Sequence, residues 1–247
     1  MVHHIKCSEV WGGISDHDGE VSTCGVTASL HSKAADGGKG GDIYYVSVCS
    51  TDKLTRIALA DVMGHGRAVS RTSQWLYEGL HAHMNDTEGN GILARLNELA
   101  GEESEKAITT AAVVAFYLND GHLYFANAGH PPVLVRRRSV GKWEKAALDE
   151  KSDPGNLPLG ILPDVGYDQQ REPFSTGDRI FLYTDGVLEA PDPKGNLFGL
   201  DRLVSTLEAT GERSLPEVKA AVLEALRAHT GGPLDHDDIT FIAVEVS

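Results

Sequence analysis

Cysteine is scarce in this chain of 247 residues: Cys7, Cys24 and Cys49 are the only three, widely spaced and without a Cys-x-x-Cys pair. An odd number so placed argues against a disulfide framework or a thiolate zinc site, and leaves small buried hydrophobes as the expected role. No stretch approaches the roughly 18 consecutive apolar residues of a membrane span. The opening Met1-Val2-His3-His4-Ile5-Lys6 lacks the apolar run of a secretory signal. A cytoplasmic location is the expectation from these two absences. Positive charge is also short, since 22 Lys and Arg stand against 36 Asp and Glu, a net charge of −14. Such a surface repels a phosphate backbone, so nucleic acid is not an expected partner. Internal repeats and low-complexity segments are missing as well.

What is present fits a soluble globular chain, with 41% hydrophobic and 23% charged residues. The length suits one large core, so the expectation is a single domain over residues 1–247, with residues 1–20 as an N-terminal arm and turn around Gly12-Gly13 and Asp16 to Glu20. Val21 to His31, Asp42 to Ser50 and Thr55 to Val62 carry the alternation and the Val, Ile and Tyr content of strands. Arg67 to Met84 and Ile92 to Leu99 space their apolar residues as helices. Strand patterns return over Ile108 to Tyr117, His122 to Ala126 and Val133 to Arg137, the first two linked by the turn Asn119-Asp120-Gly121. Residues 139–178 read as loop and short strands. Beyond them come a strand over Arg179 to Thr184, helices over Leu200 to Leu207 and Leu215 to His229, and a closing strand over Ile239 to Val246. Strands grouped apart from helices predict an α+β layered fold rather than a doubly wound parallel sheet.

Several of these strands begin or end on aspartate beside glycine or a second aspartate. Asp42 follows Gly40-Gly41; Asp61 opens Asp61-Val62-Met63-Gly64-His65-Gly66; Asp185 precedes Gly186; Asp237-Asp238 leads into the last strand. Each alone reads as a turn residue. Together, if packing brings the strand ends to one place, they form an all-oxygen donor set suited to Mg²⁺ or Mn²⁺ and not to zinc. Four uncompensated carboxylates in one cleft would repel one another unless cations neutralised them.

The segments GGDIYY (40–45), ADVMGHG (60–66), FANAGHPPVLV (125–135), LPLGI (157–161), TGDRIFLYTDGVLEA (176–190), LFGLDRL (197–203) and DDITFIAVEV (237–246) occur in an order and spacing similar to one family. The chain resembles the metal-dependent, type 2C-like protein phosphatases, and within them the stage II sporulation protein E and sigma-factor-regulator subgroup. The resemblance runs from about residue 21 to the C-terminus. It implies a four-layer αββα sandwich, two mainly antiparallel β-sheets flanked by helices, with a binuclear Mn²⁺ or Mg²⁺ centre at one end. It implies that Asp61 bridges the two ions, that the Val62 carbonyl binds one, that Asp185 and Asp237 serve the other, and that Asp42 contacts the second directly or through water. Asp238 would stand behind these ligands.

The activity so implied is hydrolysis of phosphoserine or phosphothreonine on a partner protein, with Asp61 and Asp185 as catalytic residues through their metals. The substrate it points to is a phosphoprotein, with a small anti-sigma-factor antagonist as leading candidate; no membrane partner is implied, and a homodimer or a separate regulatory protein both stay open. Two cations can activate a water and neutralise the phosphoryl oxygens during in-line displacement, so no cysteine nucleophile is needed. His65 is the candidate general acid, although a glycine-flanked histidine serves equally as a structural hydrogen-bonding group. His130 is a weaker candidate for that role. Relatives that hold a third metal carry an aspartate where this chain reads Gly129-His130-Pro131, so a third site of that kind is not expected. Relatives also carry an arginine upstream of the first aspartate; here Lys39 is the nearby cation. A non-catalytic binding module of the same fold is the alternative, and its usual sign, lost metal carboxylates, is absent. Gly40-Gly41-Asp42 also opens a diguanylate cyclase signature, but Ile43-Tyr44 follow and the rest of that pattern is missing.

Overall fold

Alternating side chains give each central strand one face for the space between two sheets and one for a layer of helices. The computed structural model describes residues 2–51, 53–64, 69–83, 85–102, 108–118, 121–147 and 156–247. One sheet has six strands: β2 (Val10–Ser15), β5 (Lys39–Val48), β6 (Leu54–Val62), β7 (Thr109–Tyr117), β8 (His122–Ala128) and β11 (Gln169–Pro173), in the spatial order β11-β8-β7-β6-β5-β2. The other has seven: β1 (Val2–His4), β3 (His17–Ser22), β4 (Val26–Lys33), β9 (Leu134–Arg136), β10 (Trp143–Lys145), β12 (Arg179–Tyr183) and β13 (Ile239–Val246), in the order β1-β3-β4-β13-β12-β9-β10. Among the described residues, the strands pair antiparallel except β1 with β3, and one isolated parallel bridge joins Ala111 to Gly129.

Leu30, Tyr44, Leu59, Val114, Leu182 and Ile242 belong to the core between the sheets. Helices α1 (Ser70–Ala82) and α2 (Gly89–Glu102) cover the outer face of the six-stranded sheet, where Leu76, Leu80, Leu93 and Leu96 pack on Ile43, Ala58 and Val113. The single turn α3 (Asp185–Leu188) and helices α4 (Gly199–Thr210) and α5 (Leu215–Thr230) cover the seven-stranded sheet through Leu203, Leu207, Val222 and Leu226. This is the four-layer αββα sandwich expected from the sequence. The start of α5 was written locally: the Ser214 N–H donates to Glu217 Oε2 at 2.9 Å, three residues into a run with Pro216 in its first turn.

Regular structure begins earlier than the sequence suggested. The first twenty residues are not an arm alone, because β1, β2 and the start of β3 join the sheets. Gly12-Gly13 reads as a turn but pairs with Tyr45 and Tyr44 of β5. A Cβ at Gly12 would stand 2.4 Å from the Tyr44 carbonyl, so glycine here permits close strand contact. The expected strand over Val21 to His31 is two strands, β3 and β4, joined by a turn in which Thr23 Oγ1 accepts from the Gly25 and Val26 N–H groups. Cys49 is buried as expected, whereas Cys7 and Cys24 are exposed. The turn residues Asn119 and Asp120 lie outside the described residues, and no described helix is long and apolar enough to cross a membrane.

Arg56 of β6 is buried beneath the connection between α1 and α2, donating to the carbonyls of His83, at 3.2 Å, and Asp86. Burial lowers its pKa, yet a guanidinium with bound carbonyls stays charged. Replacing it with methionine keeps volume and strips the charge-assisted hydrogen bonds. Arg56→Met is expected to destabilise the fold by about 2–4 kcal/mol, read as a lower urea midpoint at unchanged slope; an unaltered midpoint would show that this bond set adds nothing.

Candidate metal centre

The strand register sets up a row of side chains on the inner face of the six-stranded sheet. Asp42 of β5 lies directly opposite Asp61 of β6, and Asp61 lies opposite Thr110 of β7. Their even-spaced neighbours Tyr44, Leu59 and Ala112 belong to the inter-sheet core, so all three positions face inward. The second sheet delivers its acids to the same end. β12 and β13 are antiparallel neighbours, so the end of β12, where Thr184-Asp185 follow, lies beside the start of β13, which Asp237-Asp238 precede; the Thr184 N–H donates to the Thr240 carbonyl at 2.9 Å. Thr184 Oγ1 then crosses between the sheets and donates to Asp42 Oδ2 at 2.9 Å.

Close packing of backbone makes this convergence possible. A Cβ at Gly186 would fall 2.0 Å from the Asp238 carbonyl, so the turn after Asp185 tolerates no side chain. The Val62 carbonyl faces Gly41, where a Cβ would stand 2.9 Å from it. Asp238 is buried and accepts from the Ala35 N–H at 2.7 Å and from the Gly41 N–H, which fixes the loop ahead of Asp42. The Asp238 N–H donates to Asp237 Oδ1 at 2.7 Å, and His236 Nε2 meets the Gly186 carbonyl at 2.8 Å.

The electrostatics record crowding of like charge. Burial raises the Asp42 pKa well above its ordinary value; Asp238 and Asp185 add to the rise, and hydroxyl contacts from Thr240 and Thr184 oppose it. Asp61 is pushed up to about 10 by burial first, then by Asp42 and Asp185, by a hydrogen bond with Asp185, and by Asp237. Glu189, at the end of α3, is raised by burial and by Asp185 and Asp237. Among the described residues no three His, Cys, Asp or Glu side chains are grouped so as to hold a metal as they stand. Asp61 instead bonds with Asp185, the arrangement that a shared proton favours, and Asp42 accepts from Thr184. Oxygen donors that raise one another's pKa are a donor set that Mg²⁺ or Mn²⁺ fits, because a cation supplies the charge that protons otherwise supply.

Sequence reasoning located Asp42, Asp61, Val62, Asp185 and Asp237, and the fold carries all of them to one end of the sandwich. His65 lies outside the described residues. His130 is buried, with its pKa lowered to about 3 by burial, which is the wrong protonation for a general acid near neutral pH. Lys39 is exposed at the start of β5 and shares a shallow cleft with Arg71 and Trp75 of α1, on the helix side of the sheet rather than the Asp42 side. The hydroxyls of Thr110, Thr184 and Thr240 and the carboxyl of Glu189 were missed. The period-two alternation that turns Asp42 inward does the same for Thr184 and Thr240, and could have found them.

The profile of the family described as Stage II sporulation protein E (SpoIIE) matches residues 51–247. Phosphoserine phosphatase RsbU of Bacillus subtilis (strain 168) is 26% identical over 204 residues, 81% of this chain and 58% of RsbU. Phosphoserine phosphatase RsbP of the same organism is 23% identical over 198 residues, 77% of this chain and 45% of RsbP. The chain thus spans about half the length of these two relatives. Among solved structures, the SiaA-PP2C domain of Pseudomonas aeruginosa superposes with a TM-score of 0.76 at 20% identity, covering 89% of this chain and 86% of that one; at that identity the likeness shows the sandwich fold. A profile match over most of the chain, on a sandwich with this arrangement of strand-end aspartates, makes the chain a member of the SpoIIE family.

Proposed function

We propose that this chain is a metal-dependent protein serine/threonine phosphatase that acts in bacterial signalling on a phosphoprotein, with an anti-sigma-factor antagonist as leading candidate. The observation that carries the reading is the convergence of Asp42, Asp61, Asp185 and Asp237 from two sheets, where burial first and neighbouring acids second raise the carboxyl pKa values of Asp42 and Asp61. Family membership and the names of the relatives support the reaction class. Two Mn²⁺ or Mg²⁺ ions, when bound, supply an activated water and charge neutralisation for in-line displacement at phosphorus. Asp61 and the Val62 carbonyl would hold them from β6, Asp42 from β5, and Asp185 and Asp237 from the other sheet.

The chain's own residues have the remaining tasks. Thr184 orients Asp42 by donating to its Oδ2, and the Thr240 hydroxyl also faces that carboxyl. Asp238 holds the Gly40-Gly41 approach by accepting from the Gly41 N–H, and a side chain at Gly40 would strike the Asp238 carboxylate. His65 is proposed to protonate the leaving serine oxygen. A non-catalytic scaffold would have no use for four carboxylates that repel one another.

Cys49 follows β5 and Asp42 lies near its start, which places the buried thiol about 20 Å from the acids. Release of phosphate from a phosphoserine peptide is therefore expected to stop in chelator, to return with Mn²⁺ or Mg²⁺, and to survive thiol alkylation. Equal release in chelator would overturn the metal-dependent reading.

A further inference from the structure

The passage of the chain from one sheet to the other runs beside the proposed metal centre. β8 ends at Ala128 in the six-stranded sheet, Gly129 forms an isolated bridge to Ala111, and β9 begins at Leu134 in the seven-stranded sheet. His130 stands in this crossover. Its main chain is held on both sides by one residue: the His130 N–H donates to Asn127 Oδ1 at 2.9 Å, and Asn127 Nδ2 donates to the His130 carbonyl at 3.0 Å. Its ring meets Thr110 Oγ1 through Nδ1 at 2.9 Å. Thr110 is the register partner of Asp61. The ring lies beside the main chain of Tyr183, two residues before Asp185, and the opposite ring nitrogen, Nε2, is buried without a hydrogen-bond partner.

We infer that His130 is a positioning residue: a rigid imidazole strut, anchored by Asn127, that sets the spacing between the Asp61 side and the Asp185 side of the metal centre through Thr110 and the Tyr183 main chain. The inference rests on the metal-centre reading above and adds a residue to it. The ring has two ends in two sheets, which a hydroxyl or a methyl group in its place would not span. The Tyr183 carbonyl can only accept, so the compatible tautomer carries its proton on Nε2 and accepts from the Thr110 hydroxyl at Nδ1. Burial keeps the ring neutral, and His130 therefore adds no positive charge where cations are to bind. It acts through geometry. Groups that orient metal ligands without touching the metal typically change affinity by about 10- to 100-fold when removed.

The test is calorimetric titration of the metal-free protein with Mn²⁺, beside steady-state hydrolysis of a phosphoserine peptide. Thr110→Val keeps the shape and removes the hydroxyl, and is expected to weaken Mn²⁺ binding about tenfold. His130→Ala should do the same or more, the double variant should be no worse than His130→Ala alone, and His130→Gln should recover part of the loss. In hydrolysis the loss should fall on kcat, with KM for the peptide unchanged. A folded Thr110→Val protein that binds Mn²⁺ within twofold of the parent overturns the strut, and this variant decides the matter where His130→Ala does not fold. A parent that binds no Mn²⁺ overturns the metal-centre reading and the strut with it, which separates the two failures.

Discussion

Asp61→Asn is expected to lower metal-dependent turnover by roughly a thousandfold, about 4 kcal/mol in the barrier, while making the metal-free protein more stable. The two halves of this expectation have one cause. Asp61 sits in register between Asp42 and Thr110 on the inner face, and its pKa is pushed up to about 10 by burial and by Asp42, Asp185 and Asp237. With metals bound, that crowding is what holds them, and a neutral amide loses both a ligand and a charge. Without metals, the same crowding forces Asp61 to take a proton at neutral pH that it would not carry in the unfolded chain. Asparagine has the shape of the protonated acid and needs no proton, so the melting temperature in chelator should rise. Asp185→Asn should lower turnover alike, through the same loss of a proposed ligand and its charge. Asp237→Asn should lower turnover severely as well, since a neutral amide there removes a proposed metal ligand and a charge. The measurements are kcat at saturating Mn²⁺ and thermal melting in chelator. Full turnover in Asp61→Asn, or a melting temperature in chelator lowered by several degrees, would contradict the account.

The residues that face this centre were legible in the sequence to different degrees, for reasons that can be named. Asp42 and Asp185 adjoin glycine and Asp61 leads into a loop that reaches Gly64, so a sharp turn and a polar donor coincide, and that local grammar survives without the fold. The strand pairing that sets Asp42 opposite Asp61 is long-range and was out of reach. Thr184 and Thr240 were overlooked because a threonine in a strand is ordinary, and only the second sheet gives the Thr184 hydroxyl an acid to bind. The first twenty residues were misread because Gly12-Gly13 and Asp18-Gly19 carry turn composition, while their strand character comes from partners: Tyr44 and Tyr45 for the first pair, Leu30 and His31 for the second. α5 lay at the other extreme. Its capping residues, its apolar spacing and the left-handed Gly231 beyond it are all local, and its start at Leu215 was read correctly.

The pH dependence of the metal-free fold should run opposite to the usual acid denaturation, in a defined window. A carboxyl whose folded pKa is raised stabilises the fold below its unfolded value and loses that contribution as pH climbs through the folded value. For Asp61 those limits are 3.8 and about 10, and Asp42 shifts in the same direction. Two histidines work against this slope at lower pH. His130, at about 3, and His31, lowered by burial, stay neutral in the fold but take protons in the unfolded chain below an ordinary value of 6.5. The slopes therefore offset one another below about pH 6, and the carboxyl slope stands alone above about pH 7. One proton held across that range amounts to about 1.4 kcal/mol per pH unit, so urea unfolding in chelator should show a loss of roughly 2–3 kcal/mol between about pH 7 and about pH 9. Saturating Mg²⁺ should flatten that limb, because the cations then hold the acids deprotonated in the fold and no proton is released as pH rises. The stabilisation conferred by Mg²⁺ should accordingly grow with pH. A metal-free protein whose stability is level from pH 7 to pH 9, or a Mg²⁺ effect that shrinks over the same range, would mean that the acids of β5 and β6 do not share protons in the absence of metal.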